Sequence, residues 1–287
     1  MEYRIAQDIA YAKEVLSLSY ADLADKVGVS LMTLQRWAKG ENPPNANSLE
    51  KLYQAFYGAG LRLSLAKSDM YLSETNAETE ILFHGSKEGI VGPISLEASL
   101  PGKDFGPGFY CGLSLEQTAA FVCSFPRSSV YVLSLKKKGL KVKSFDVDKD
   151  WMYAIAYYRG YLKPYETAPY LRCLLDEIEE ADIIYAPIAD NTMFDILEAF
   201  YRGEITDEQC IHSLSANRLG RQVVVRSPKC LRRLEVLDRL YLCEKEKNEF
   251  LNKRRESGEA GRQKMLLERR KYAGVGHYIE ELFREDI

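Results

Sequence analysis

The spacing of apolar positions changes twice along the chain. Residues 1–66 carry apolar side chains at helical spacing, residues 80–236 combine β-type runs with Gly and Pro turns, and residues 237–287 scatter them among Lys, Arg and Glu. Spacings of three and four residues predict amphipathic helices, whereas alternation and short apolar runs predict strands. The pattern therefore predicts an α+β protein with an all-α N-terminal domain, a polar linker over 67–79, a central sheet-and-helix domain and a charged helical extension.

Local start and stop signals divide the first domain into short helices. Ser19 and Asp22 have the spacing of a capping box, Gly28 ends that helix, Ser30 caps the next one, and a glycine stops it. Two helices joined by a tight glycine turn predict a helix-turn-helix, and a further helix starts at Ser48.

The block of residues 18–52 resembles the repressor-type helix-turn-helix family of phage repressors and many antitoxins. The resemblance implies that the second helix enters the major groove of DNA with its N-terminal residues at base edges. Because basic and acidic residues roughly cancel across this domain, a helical adaptor for a protein partner is the alternative. The side chains that would face operator DNA are Ser30, Met32, Thr33, Gln35, Arg36 and, near phosphate, Lys39.

Three polar motifs mark the central domain. In His84-Gly85-Ser86, a β-rich run ends at the histidine and the next two residues predict a polar corner. Residues 104–111 (Asp-Phe-Gly-Pro-Gly-Phe-Tyr-Cys) form a tight turn into a β-like step, and Gln222 opens a Val-rich strand. A capped helix and an alternating strand lie between the second and third motifs. This order resembles the ADP-ribosyltransferase superfamily, and within it a bacterial group of largely uncharacterised domains from toxin–antitoxin and defence settings. The resemblance covers the central domain and implies a split β-sheet core with helices.

The resemblance also implies NAD⁺ as the substrate, without a metal ion. Cleavage of the nicotinamide bond spreads positive charge over the ribose, so the site must hold both rings and stabilise that charge. His84 would hydrogen-bond a ribose hydroxyl, Gly85 would let the backbone approach the nicotinamide amide, and Tyr110 would stack on the nicotinamide ring. Two Phe side chains would shape the pocket wall. The implied NAD⁺-binding residues are His84, Gly85, Ser86, Phe105, Gly108, Phe109 and Tyr110.

The third motif departs from the better-known superfamily members, whose late strand begins with a catalytic Glu. At that place this chain has Gln222, whose amide can hydrogen-bond the ribose but can neither act as a base nor supply negative charge. We therefore expect His84, Tyr110 and Gln222 as the catalytic set to support mono-ADP-ribosylation rather than polymer growth. Asp190 would supply the missing charge or cap a helix, and His212 would line the acceptor side or play a structural role.

Composition narrows the cellular setting and the cofactors. The formal net charge of −3 gives no chain-wide attraction to nucleic acid or acidic lipid, so any DNA contact must be local. The six cysteines have no CxxC spacing and the three histidines are far apart, which predicts free thiols in a reducing cytoplasm and no metal site. The N-terminus lacks the pattern of a signal peptide, and no apolar run is long enough to span a membrane.

The C-terminal extension reads as surface helices. Its apolar positions lie among abundant charges, and Ser257-Gly258 predicts a break between two helices, with a short last helix from His277 to Arg284. Such a surface suits docking to an antitoxin or to a second copy of the chain in a homodimer.

Arg159 follows an aromatic helix face in the central domain and would form a salt bridge or contact the NAD⁺ pyrophosphate.

These observations together predict a cytoplasmic mono-ADP-ribosyltransferase, a toxin or phage-defence effector whose helix-turn-helix binds operator DNA or a partner. A non-catalytic NAD⁺-sensing transcription regulator, an inactive NAD⁺-binding relic and an NAD⁺ glycohydrolase are the alternatives. The acceptor of ADP-ribose, whether protein, RNA, DNA or a small molecule, stays open.

Overall fold

A computed structural model of the chain describes residues 2–97, 102–188, 191–217 and 219–282. Its contacts divide the chain into two compact units, each made of three separate stretches. The first unit consists of Met1–Val91, Ser114–Lys136 and Glu235–Lys253. The second unit consists of Gly92–Leu113, Lys137–Leu234 and Arg254–Ile287. The helix-turn-helix therefore shares a compact unit with both ends of the central domain.

Helices alone occupy the N-terminal part, and strands mixed with helices follow, which confirms the predicted α+β class. The helices are α1 (Ile5–Leu16), α2 (Tyr20–Val27), α3 (Leu31–Lys39), α4 (Ala46–Gly58), α5 (Leu63–Leu72), α6 (Leu115–Val122), α7 (Lys149–Tyr158), α8 (Pro169–Glu180), α9 (Asn191–Tyr201), α10 (Asp207–Ser215), α11 (Pro228–Leu231), α12 (Glu244–Lys271) and α13 (Ile279–Leu282). The strands are β1 (Thr79–Ser86), β2 (Phe109–Gly112), β3 (Ser129–Lys136), β4 (Val142–Ser144), β5 (Ile183–Pro187), β6 (Arg221–Val225) and β7 (Leu234–Leu240).

The caps of the second and third helices form as the sequence predicts. The Ser19 hydroxyl accepts a hydrogen bond from the Asp22 backbone N–H at 3.1 Å, and the Asp22 carboxylate accepts one from the Ser19 N–H at 2.9 Å. α2 ends at Gly28, whose φ of +75° is a left-handed conformation that glycine adopts without strain. Ser30 then caps α3 by accepting from the Thr33 N–H at 3.1 Å.

The helices of the first unit pack around apolar side chains on their inner faces. Burying a side chain of the size of Leu or Phe contributes about 1.5–3 kcal/mol, so this shared core is the main stabilising term for helices too short to persist alone. The core positions contributed by α1 to α4 are Ile9, Ala12, Leu23, Ala24, Val27, Leu34, Trp37, Leu49, Leu52, Tyr53 and Phe56.

The strands of the first unit are β1, β3 and β7, in that order. β1 pairs antiparallel with β3 along its whole length, from Thr79 opposite Lys136 to Ser86 opposite Ser129. Gly85 and Ser86, which the sequence predicts to form a corner, continue β1 instead. α6 covers this pair with buried side chains from its inner face.

The strands of the second unit follow the order β4-β5-β6-β2. β4 runs parallel to β5, and β6 runs antiparallel to both β5 and β2. β6 is the Val-rich strand predicted at Gln222, which lies opposite Gly112 of β2 and Ala186 of β5. Trp151 and Phe200 are fully buried in the core of this unit.

Two predicted boundaries shift because polar residues are buried or used as caps. α5 extends to Leu72, so the beginning of the predicted linker over 67–79 is helical. Its Ser68 is only 3% exposed, although its polarity favours a linker on sequence grounds. α4 begins before Ser48, because the Asn45 side chain accepts a hydrogen bond from the Ser48 N–H at 2.9 Å and caps the helix there.

The C-terminal extension contains one long helix where two were expected. α12 runs through Ser257 and Gly258 without a break. A single Gly inside a helix costs about 1 kcal/mol relative to Ala, and the many strong helix formers around it offset that cost. The last helix covers Ile279–Leu282, so it begins two residues later than predicted, and its predicted end at Arg284 lies outside the described residues.

Candidate functional site

The outer face of α3 carries the residues predicted to face DNA. Met32 is 62% exposed, and the side chains of Arg36 and Lys39 are also exposed. Leu34 and Trp37 point inward and anchor the helix in the core. Because residues three and four positions apart share one face of a helix, α3 presents a continuous exposed face on which the apolar Met32 lies among polar side chains.

The N-terminus of α3 is held by the two hydroxyls that the sequence analysis placed near bases. Ser30 Oγ and Thr33 Oγ1 lie 2.8 Å apart, and Ser30 also accepts from the Thr33 N–H. Both residues thus have a capping role. Gln35 remains exposed for contact outside the fold.

The His84 motif lies at the end of β1, in the first unit. His84 is half-buried and sits opposite Tyr131 in β3. Gly85 is required by packing, because a Cβ there would lie 2.9 Å from Val122 Cγ1 on α6. The Ser86 hydroxyl accepts a hydrogen bond from the Gly89 N–H at 2.9 Å and so holds the turn after the strand.

The glycine-rich turn lies against the second unit so closely that side chains are excluded. A Cβ at Gly106, where φ is +69°, would lie 2.8 Å from the Tyr158 ring. A Cβ at Gly108 would lie 2.8 Å from Val224 Cγ1 and 2.9 Å from the Val225 carbonyl oxygen. Both glycines are therefore explained by contacts of the turn with its own unit.

The Tyr110 hydroxyl closes this turn. It donates to the Gly106 carbonyl at 2.7 Å and accepts from the Phe105 N–H at 3.2 Å. Burial raises the pKa of Tyr110 well above its usual value, so the phenol stays protonated. The ring is half-buried, and Lys103 Nζ lies 5.6 Å from its centroid.

The two Phe side chains predicted to shape the pocket wall are both buried. Phe105 is fully buried and stacks on Phe145 with ring centroids 5.3 Å apart. Phe109 is 7% exposed. Apolar rings of this size gain most from complete burial, which accounts for their positions in the core.

Gln222 is bound by the carboxylate of Asp104, which is not among the predicted site residues. Its Nε2 donates to Asp104 Oδ2 at 2.9 Å and to the Pro187 carbonyl at 3.1 Å. The other oxygen of Asp104 pairs with Arg159 Nη2 at 2.5 Å, which confirms a salt bridge for Arg159. The Arg159 guanidinium lies 3.8 Å from the centroid of Phe194. The sequence signal for Asp104 is its position as the first residue of the glycine-rich turn.

The turn brings Tyr110 and Gln222 together within the second unit. Tyr110 lies opposite Val224 on the neighbouring strand, and Val224 and Gln222 share one face of β6. Cross-strand diagonal neighbours are about 7–8 Å apart. Residues 104–106 hydrogen-bond both side chains, through the Asp104 carboxylate and through the backbone groups that Tyr110 binds.

The two expected acceptor-side residues differ in outcome. His212 lies in α10 and stacks on Tyr272 with ring centroids 3.6 Å apart, while its Nε2 lies 3.6 Å from Glu208. These contacts give His212 a structural role. Asp190 lies outside the described residues.

The cysteine thiols are free and mostly buried, and the helices that the structure describes do not suit a membrane. The six cysteines are free, as predicted, and five of them are buried. Burial raises the pKa of Cys123 and Cys230 to about 12, so these thiols are poor nucleophiles. Within the described ranges, each helix is too short or too polar to cross a membrane.

Comparison with protein-family models gives two matches. Residues 80–236 match the family described as "Protein of unknown function (DUF3990)", and residues 10–56 match the family described as "Helix-turn-helix". No curated protein and no solved structure matches the chain. The chain therefore belongs to the DUF3990 family and carries a helix-turn-helix near its N-terminus, as the sequence predicted.

Proposed function

We propose, for this member of the DUF3990 family, that the central domain binds NAD⁺ and transfers its ADP-ribose to an acceptor, and that the helix-turn-helix binds DNA. The observation that supports the transferase most is the convergence of Tyr110 and Gln222 beside one turn. A half-buried aromatic ring next to an amide suits a ligand that joins a flat cationic ring to a ribose, because the ring stacks and the hydroxyls hydrogen-bond.

The proposed reaction needs little covalent chemistry from the protein. The bond between ribose C1′ and the nicotinamide nitrogen breaks, its electron pair stays with the departing neutral nicotinamide, and positive charge develops on the ribose. An acceptor nucleophile then bonds to C1′ and releases its proton to solvent. Holding both rings and stabilising the developing charge are therefore the tasks of the site. The superfamily resemblance assigns His84 a hydrogen bond to a ribose hydroxyl.

The test is transfer of label from NAD⁺. Protein incubated with [³²P]NAD⁺ and cell lysate should label a macromolecule and release nicotinamide, and His84→Ala and Gln222→Ala should abolish both. His277→Ala is the matched control, because His277 is an exposed histidine whose backbone N–H makes the hydrogen bond to Asp207. Its activity should equal that of the wild type.

The other outcomes separate the rival functions. Nicotinamide release without labelled macromolecules indicates a glycohydrolase, with water as the acceptor. Binding of NAD⁺ without nicotinamide release indicates a sensor. Neither binding nor release by the folded wild-type protein would overturn the NAD⁺ proposal.

DNA binding rests on a separate observation, the exposed face of α3 that carries Gln35, Arg36 and Lys39. Selection from a pool of random duplexes should yield a preferred sequence, since side chains at base edges carry specificity. Arg36→Ala should weaken DNA binding by about 1–3 kcal/mol and reduce the preference for one base at one position of the site. Lys39→Ala should weaken binding to all DNA sequences equally. Lys51→Ala, an exposed change on α4, is the control. Equal affinity for all duplexes in both Arg36→Ala and wild type contradicts specific readout.

A further inference from the structure

We infer that Asp104 is the positioning residue for Gln222, and that it makes the Gln222 amide oxygen the atom presented to the substrate. This inference rests on the proposed NAD⁺ chemistry. The amide nitrogen has two hydrogens, and both are used, one on Asp104 Oδ2 and one on the Pro187 carbonyl. Only the acceptor oxygen Oε1 remains for a ligand. An acceptor oxygen can receive the hydrogen that a ribose hydroxyl donates.

The same contacts explain why this position holds Gln where related enzymes hold Glu. An ionised glutamate side chain at position 222 would place its oxygens against the Asp104 carboxylate and the Pro187 carbonyl, which are both acceptors. Acceptor atoms in contact without a hydrogen between them repel each other, and two carboxylates so close cannot both ionise. In this chain the negative charge of the site therefore lies on Asp104, which is hydrogen-bonded to Gln222.

Asp104 is built into the fold as a fixed charge. It is 8% exposed, and its second oxygen pairs with Arg159. A carboxylate that accepts from an amide N–H polarises that amide, so the oxygen at its other end becomes a stronger acceptor. Asp104 thus strengthens the hydrogen bond of Gln222 to the ribose without touching the substrate.

The decisive variants move the carboxylate between the two positions. Asp104→Asn cannot satisfy both neighbours, because its amide nitrogen must face either Arg159 or the Gln222 N–H₂ group, which are both donors. Nicotinamide release should fall by about 10- to 100-fold in kcat, with a small change in KM for NAD⁺, since hydrogen bonds to charged groups are worth about 1.5–3 kcal/mol. Gln222→Glu alone should also lose activity.

The double variant, Asp104→Asn combined with Gln222→Glu, restores the hydrogen bond between the two positions, with the amide now at position 104 and the carboxylate at position 222. The amide oxygen introduced at position 104 accepts from Arg159, and the amide nitrogen beside it donates to the carboxylate introduced at position 222. The double variant should therefore release nicotinamide about 10-fold faster than either single variant, although the contact with the Pro187 carbonyl keeps it below wild type. Rescue of this kind follows from pairing at Gln222 and is not expected of a carboxylate that only stabilises the fold.

The control is Asp182→Asn, which removes another buried carboxylate paired with Lys229 in the same unit. It should lower the melting temperature while leaving kcat unchanged. Wild-type protein that neither binds NAD⁺ nor releases nicotinamide would refute the proposed function and this inference with it. An active wild type with an unaffected Asp104→Asn variant, or a double variant no faster than the singles or unable to fold, would refute the positioning role alone.

Discussion

At the scale of the residue, the Tyr110 side chain has two separable parts. Its hydroxyl closes the glycine-rich turn through two backbone groups, and its ring stays half exposed. Tyr110→Phe should therefore lower the unfolding free energy by about 1–3 kcal/mol, because two backbone hydrogen bonds are lost. NAD⁺ affinity, measured by calorimetry, should change by no more than about 3-fold in Tyr110→Phe but fall at least about 10-fold in Tyr110→Ala. Equal losses in both variants would assign NAD⁺ recognition to the hydroxyl instead of the ring.

The motif residues could be identified from the sequence, but their partners could not. The glycine-rich turn and the late Gln are visible as local patterns. The bond between Asp104 and Gln222 joins positions 118 residues apart, and no spacing rule predicts such a contact. Gly85 illustrates the same limit, because its packing against Val122 only arises once α6 lies on β1. The burial of Phe105 likewise depends on a partner that local sequence does not name.

At the scale of the element, helix ends were predicted well where a side chain caps its own helix. The capping box of α2 and the Ser30 cap of α3 involve residues three positions apart, so the sequence contains the whole interaction. The prediction of two helices was wrong, because it relied on a single residue of low helix propensity to end the first helix. The break expected at Ser257-Gly258 is absent from α12, because the length of a helix depends on the sum over all its positions.

The continuity of α12 makes Gly258 a place where the chain can be stabilised. Gly258→Ala should raise the unfolding free energy by about 0.5–1 kcal/mol and increase the helical circular dichroism signal, because Ala loses less backbone entropy in a helix. Gly261→Ala is the contrasting variant, since its Cβ would lie 3.1 Å from Asn217 Nδ2 and any gain should be smaller. A Gly258→Ala variant that is less stable than wild type would indicate a helix break at this position.

At the scale of the whole molecule, buried ionisable groups join the helix-turn-helix to the rest of its compact unit. Lys67 Nζ lies 2.7 Å from the carboxylates of both Asp8 and Asp238, which links α1, α5 and β7. The Ser64 hydroxyl donates to the Glu246 carboxylate, which links α5 to α12. Removing Lys67 or one of its partners leaves an uncompensated buried charge, so the ion pairs of Lys67 fix the arrangement of these elements. The Ser64–Glu246 contact joins residues 182 positions apart, and no local sequence pattern predicts such a contact. The set of segments that forms this unit could therefore not be predicted from the sequence.

Glu246 gives this unit a pH dependence of defined sign. Burial raises its pKa to about 7, so the folded chain keeps a proton that the unfolded chain loses at about pH 4.3. The contribution of Glu246 to the free energy of unfolding should therefore fall by about 3 kcal/mol as the pH rises from about 4 to about 8. Above about pH 8 this contribution should stay constant. Glu246→Gln keeps an acceptor for Ser64 but cannot ionise, so its advantage in urea midpoint over wild type should grow between about pH 5 and pH 8. Glu256→Gln, an exposed change in the same helix, should leave the wild-type profile unaltered. An advantage of Glu246→Gln that is equal at both pH values would show that Glu246 ionises normally in the folded chain.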